Sequence, residues 1–119
     1  MKKIMFLMSS ADKAIQIFIA DTFLKRFLGL MGKTDSGYGM LITPCNSIHT
    51  CFMRYDLDIL FLDKENRIVE IVKGIKPWRM TKIIKAAHSV LEFPSSLKVS
   101  LNYSTGMKLK LQPAADNLR

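Results

Sequence analysis

Cys45, His49, Cys51 and Met53 put two thiols, an imidazole and a thioether into one short run. Such donors suit Cu(I) and, without the Met, Zn(II). If the run is extended, the two-residue period of a strand sets Cys45, Ser47, His49, Cys51 and Met53 on one face. A flat strand spaces such neighbours by ~6.8 Å, whereas ligands must converge to ~2.0–2.3 Å from one ion, so only a bulge or bend would gather them. A thiol activated by His49, with Asp56 or Asp58 orienting the ring, is the other chemistry of this run, and it needs hydrogen-bond contacts that neighbours on one strand rarely make. The simpler reading makes Cys and Met core fillers and His49 a hydrogen-bonded structural residue.

A second set of residues carries charge. Lys73, Lys76, Arg79, Lys82 and Lys85 recur about every third position around the single tryptophan, Trp78. Cations so spaced cluster on one face if the segment is helical, where they could track phosphates while the indole stacks on a base. No RNP, KH or helix-turn-helix signature accompanies them, and solvated lysines are common on β domains. The charge is uneven along the chain: residues 1–70 hold nine basic and eight acidic side chains, whereas from residue 71 nine basic ones face only Glu92 and Asp116. Nearly all of the net +8 therefore sits in the C-terminal half.

Other chemistries find little support. No glycine-rich phosphate loop is present, and Gly29 and Gly39 read as packing or turn glycines. Asp56 and Asp58 lie in series with no second acid facing them, so the residues do not call for an enzyme.

These residues must be positioned by one core, because 119 residues make one domain and 49% of them are hydrophobic. Lys3–Met8 and Ala14–Ile19 alternate as strands about a turn at Ser9–Asp12. Asp21 is suited to cap a helix over Thr22–Met31, ended by Gly32. A loop at Thr34–Gly37 precedes a short strand, Gly39–Thr43, closed by Pro44. Leu57–Leu62 is apolar on both faces except for Asp58, the pattern of a strand covered on both sides. An unpaired charge at Asp58 would cost several kcal/mol, so it must have partners. Lys64–Asn66 turns into a hairpin strand at Arg67–Ile75, while Pro77–Lys85 fits a helical turn as well as an irregular loop. Ser89–Phe93 is a strand, Pro94–Ser96 a turn, Leu97–Tyr103 a further apolar segment, and Met107–Leu111 a last strand. Short strands and close turns with one helix, near residues 22–31, indicate a mainly-β sandwich or small barrel over residues 1–111, with 112–119 as a flexible tail.

Two cysteines six residues apart, flanking a histidine, do not form the disulfide framework of a secreted domain. The apolar stretch Ile4–Met8 after Lys2 and Lys3 is shorter than a signal peptide requires, and no window reaches the ~18 apolar residues of a membrane span. Reduced thiols and a cytoplasmic setting are expected.

Four pieces in order resemble a widespread prokaryotic family, domain of unknown function 192. They are Arg26-x-x-Gly29-Leu30-Met31, Gly39-Met40-Leu41, Leu57-Asp58-x-x-Phe61-x-Asp63 and Val90-Leu91-Glu92-x-Pro94, within a match over roughly Ile15 to Leu111. The resemblance implies a mainly-β, jelly-roll-like sandwich or barrel with a short helix at its edge, and it implies no agreed chemistry. Two opposite charges within its motifs, Arg26 and Asp58, are read as a pair that ties helix to sheet or lines a pocket. This chain departs from the family pattern at His49-Thr50-Cys51-Phe52-Met53, where many members carry an aromatic-Met-x-Asn-Thr run. It departs again at Ser95 and at Gly106-Met107, where Gly and Gly-Asp are frequent.

The reading is of a small cytoplasmic binding or accessory module. The alternatives are Cu or Zn binding through Cys45, His49, Cys51 and Met53, and nucleic-acid or polyanion binding through Lys73, Lys76, Trp78, Arg79, Lys82 and Lys85. No residue pattern decides a protein partner or the oligomeric state, since an exposed strand edge would also serve a dimer.

Overall fold

The structure, a computed structural model, describes residues 3–8, 14–20 and 38–113. The expected helix over 22–31, with Arg26, and the turns expected at 9–12 and 34–37 lie outside the described residues, as do residues 114–119. The described residues form seven strands: β1 (Lys3–Met8), β2 (Ala14–Ala20), β3 (Gly39–Ile42), β4 (Leu57–Leu62), β5 (Ile68–Ile75), β6 (Ser89–Pro94) and β7 (Lys110–Pro113). They form one sheet in the order β5-β4-β6-β3-β2-β1-β7. Neighbours run antiparallel except β2 and β3, which are parallel.

Every residue of β3, β4 and β6 is buried, so the centre of the sheet is covered on both faces. One face carries Leu41, Leu60, Leu62, Leu91 and Phe93, closed over by Val99 and Leu109. The other carries Met40, Ile42, Ile59, Phe61 and Val90, and is roofed by Ile48, Met53 and Ile84 from two long connections. That second roof is why Leu57–Leu62 reads as apolar on both sides. Each fully buried side chain of this kind is worth ~1.5–3 kcal/mol of transfer free energy.

The sheet curls toward the first face. Arg67 and Lys108 form an isolated antiparallel bridge, the Ile68 amide donates to the Met107 carbonyl at 2.8 Å, and the Leu109 amide donates to the Asn66 carbonyl at 2.8 Å. The two ends of the strand order thus meet at one corner, but no continuous ladder closes the sheet. The mainly-β class expected from the strand patterns is therefore present as one mixed, curled sheet. Two segments differ from the sequence reading. Leu97–Tyr103 is two 3-10 turns, Ser95–Leu97 and Val99–Asn102, joined through Lys98 at φ 57°. The last strand begins at Lys110, three residues late, because Lys108 is spent on the corner bridge. It runs on to Pro113, so the first two residues read as tail belong to the sheet.

Gly39 is a packing glycine, as its sequence context suggested. It pairs with Ile17 across the parallel ladder, and a Cβ there would lie 2.7 Å from Ile17 Cδ1 and inside contact distance of the Phe93 ring. Both neighbours are fully buried and would have to shift. Gly39→Ala is expected to cost about 2 kcal/mol through overpacking; an unchanged urea midpoint would show that the core yields.

Candidate functional site

The two long connections, 43–56 between β3 and β4 and 76–88 between β5 and β6, pack on each other above the second core. Neither is regular. The stretch from Cys45 to Met53 is not a strand, and Pro77–Lys85 is not a helical turn. Their backbones are instead tied crosswise: the Ile84 amide donates to Asn46, the Thr81 amide to Ile48 and the Trp78 amide to Thr50, while the Thr50 amide donates to Arg79, all at 2.8–3.0 Å. His49 and Met80 form an antiparallel bridge between them. Burial at Ile48, Thr50 and Met53 follows steps of two and three residues, so the sequence alternates like a strand only in part.

Thr50 is the clamp. It is fully buried, its hydroxyl donates to the Lys76 carbonyl at 2.7 Å, and the same oxygen accepts the Arg79 amide at 2.8 Å. One hydroxyl thus satisfies two backbone groups of a loop that has no ladder of its own.

The geometry separates the soft donors that the sequence places together. Without a strand there is no common face. Met53 is 3% exposed and belongs to the core, and Cys45, packed at the edge of that core, donates its thiol hydrogen to the Ser47 carbonyl at 3.0 Å. His49 Nδ1 accepts the Cys51 amide at 3.2 Å, which assigns the ring proton of the neutral imidazole to Nε2 and disposes that nitrogen to donate. Among the described residues no three His, Cys, Asp or Glu side chains gather as a metal cage.

Asp58 has the partners its burial demands. It is 5% exposed, Oδ1 accepts the Gly74 amide at 2.8 Å and the Ser95 hydroxyl at 2.7 Å, and Oδ2 accepts the Ser100 hydroxyl at 2.6 Å. The register explains the first of these. Leu57 pairs with Ile75 and Ile59 with Val72, so β5 sets two residues, Lys73 and Gly74, against Asp58 alone. In this bulge Gly74 adopts φ 64°, which turns its amide toward the carboxylate. Gly74, Ser95 and Ser100 were not legible as partners, because the two serines lie in what reads as turn and apolar segment. Arg26 lies outside the described residues.

The basic residues are not gathered on a helical face: Lys73 lies on β5, and Lys76, Arg79, Lys82 and Lys85 follow along the irregular connection. Lys73, Lys76, Arg79, Lys82 and Lys85 are exposed, and Arg54 joins them from the other connection. The two connections together carry five basic side chains and one acid, Asp56, whose Oδ2 lies 3.5 Å from Lys76 Nζ. Two aromatics stand on the same connections. Phe52 and Trp78 meet edge to face with centroids 4.7 Å apart and planes at 61°, and they are 55% and 58% exposed. Both take left-handed backbone, φ 70° and 63°. Phe52 stands out beside buried Met53, whose side chain enters the core, and Trp78 is held by the Thr50 clamp. Met80 and Ile83 flank them, also exposed. Sequence reasoning missed Phe52 and Arg54, since nothing local marks a partner of Trp78 lying 26 residues upstream.

Behind this surface, Asp63 shapes the β4–β5 turn. Its carboxylate accepts the amides of Arg67 at 2.9 Å and Glu65 at 2.8 Å, and the Arg67 bond chiefly holds its pKa below the usual carboxylate value. Among the described residues no helix is long and apolar enough to cross a membrane.

Comparison with known proteins gives family and fold. The chain is 37% identical over 100 residues to a UPF0127 protein of Pyrococcus horikoshii, covering 80% of this chain and 86% of that one. It is 35% identical over 107 residues to a UPF0127 protein of Thermococcus kodakarensis, covering 85% and 68%. Its fold is similar to that of a Novosphingobium aromaticivorans protein of unknown function, with a TM-score of 0.71 at 20% identity over 90% of this chain and 83% of that one. A Sinorhizobium meliloti protein proposed to be a transcription regulator gives a TM-score of 0.69 at 22% identity over 96% and 95%. Residues 6–111 match the model of DUF192, described as an uncharacterized ACR, and with these relatives the chain belongs to the DUF192 family.

Proposed function

We propose that the protein is a binding module, not an enzyme, that its working surface is the pair of packed connections, and that its ligand is a polyanion met in the cytoplasm. One observation carries this reading: Arg54, Lys76, Arg79, Lys82 and Lys85 are all exposed on these connections, with Asp56 as the one acid among them. Clustered charge of one sign raises the local concentration of a polyanion and speeds its capture, and releasing counterions drives its binding.

A protein with a pI near 9.7 will be retained on heparin to some degree whatever its surface does. Retention must therefore be compared between variants of equal charge. Lys82→Gln with Lys85→Gln is expected to elute from heparin at clearly lower salt than Lys98→Gln with Lys110→Gln, which removes the same charge from exposed positions elsewhere. Equal shifts in the two double variants would mean that net charge alone holds the protein, and the reading would fall.

A further inference from the structure

We infer that the polyanion is a single-stranded nucleic acid and that Phe52 and Trp78 are the stacking step for its bases; this rests on the polyanion reading above and narrows it. Cations alone would serve any polyanion. They leave unexplained why two large aromatic side chains stand together on the same two connections, more than half exposed.

The backbone sharpens the question. Left-handed φ is rare for bulky residues and is ordinarily left to Gly or Asn. Here it occurs twice, at Phe52 and at Trp78, and both rings are exposed. Residues held in sparse backbone regions cluster at binding and switch sites, where the strain is part of the device. The Thr50 clamp fixes the backbone on both sides of Trp78, so the indole is presented by a rigid support. An edge-to-face pair leaves ring face open to solvent, and every unpaired base has a π-face to lay on it.

The occupant follows from what each polyanion offers. A sulfated sugar or an acidic peptide brings negative charge and no flat ring to stack. A duplex brings phosphates but keeps its base faces within its own stack. Only an unpaired strand brings phosphodiesters for Arg54, Arg79, Lys82 and Lys85 together with free base faces for Phe52 and Trp78. DNA and RNA share this chemistry.

The single tryptophan makes the test direct. The full chain is titrated with fluorescein-labelled oligothymidylate and oligouridylate of about a dozen nucleotides, with a duplex of the same length, and with a heparin fragment of similar charge. Binding of either single strand is expected to raise anisotropy and to quench Trp78 emission, with a slope of log K against log salt of about −3, set by about four phosphate contacts. Heparin is expected to bind without that quenching, and the duplex more weakly than the single strands. A preference between the two oligonucleotides assigns the strand as DNA or RNA.

Trp78→Asn and Phe52→Asn supply the second arm, because Asn tolerates left-handed backbone and these variants should keep their melting temperature. Each is expected to weaken single-strand affinity about tenfold, the worth of one stacked base, while heparin affinity stays within about twofold. Single-strand affinity unchanged in both variants, or a duplex bound as tightly as the single strands, would overturn the stacking inference and leave the polyanion surface standing. Wild-type protein that binds neither heparin nor oligonucleotide at low salt would overturn both.

Discussion

Asp58→Ala is expected to lower the free energy of unfolding by about 4 kcal/mol, the largest effect of any single substitution proposed here. The carboxylate collects three donors, and their fates differ once it is gone. The Gly74 amide sits on an exposed residue at the bulge and can turn to water. The Ser95 hydroxyl is half-buried, and the Ser100 hydroxyl is buried and cannot be rehydrated. Hydrogen bonds to a charged group are worth ~1.5–3 kcal/mol each, so losing three with partial rescue of one or two gives the figure. Asp58→Asn keeps an acceptor for Gly74 and Ser95 and asks only that the Ser100 hydroxyl turn round; about 2 kcal/mol is expected. Urea unfolding of the two variants, and of Asp58→Ala combined with Ser100→Ala, checks the account. The double variant should cost less than the sum of its parts, because the orphaned hydroxyl is gone. A loss below about 1 kcal/mol for Asp58→Ala would show that the three bonds are not held in solution.

Thr50→Val is the second. The side chain keeps its shape and loses the oxygen that serves Lys76 and Arg79. Two backbone groups are stripped at once, though both belong to exposed residues and water recovers part of the loss, so about 2–3 kcal/mol is expected. Thr50→Ser retains both bonds and forfeits one buried methyl, about 1 kcal/mol. The two variants should part again in emission from Trp78. In the Val variant the support of the indole is cut, and the anisotropy of the free protein's tryptophan should fall; in the Ser variant it should hold. Equal anisotropy in both would mean that the Trp78 loop is fixed by its apolar anchors and not by the clamp.

How much of this could be read from the chain depends on the range of the interaction. The strands β1, β2, β4, β5 and β6 announce themselves through local period, and Leu57–Leu62 even shows that both its faces are covered. That signal survives because strand geometry is set by neighbours two residues apart. The run from Cys45 to Met53 misleads for the same reason: Ile48, Thr50 and Met53 turn inward at unequal steps, and the hydrogen-bond partners of Ile48 and Thr50 lie some thirty residues downstream, where no local pattern reports them. The helical spacing of the basic residues from Lys73 to Lys85 is similarly a spacing only: Lys73 lies on β5, and beyond it the backbone is tied to Asn46, Ile48 and Thr50. Asp58 could be seen to need partners, because burial and charge are both written in its neighbours. Which partners could not be seen, because a one-residue bulge in β5 and a 3-10 turn after β6 decide it. Phe52 and Trp78 were beyond reach as a pair, since an aromatic at left-handed φ breaks the local preference that sequence reading relies on.

The strand order also sets a timetable. β1 sits between β2, its hairpin partner, and β7, so that Met8 is paired with Lys110, far along the sequence. The centre of the sheet likewise waits, because β3 pairs with β6 only after the whole β4–β5 hairpin has been made. Contacts of such long sequence separation form slowly, and a chain growing from its N-terminus holds β1 with one side unsatisfied until β7 has been synthesised. For that interval the nascent protein carries an open edge beside an apolar hairpin, the kind of surface that holding chaperones recognise. Until β7 arrives, that edge has to be kept from pairing with a neighbouring chain.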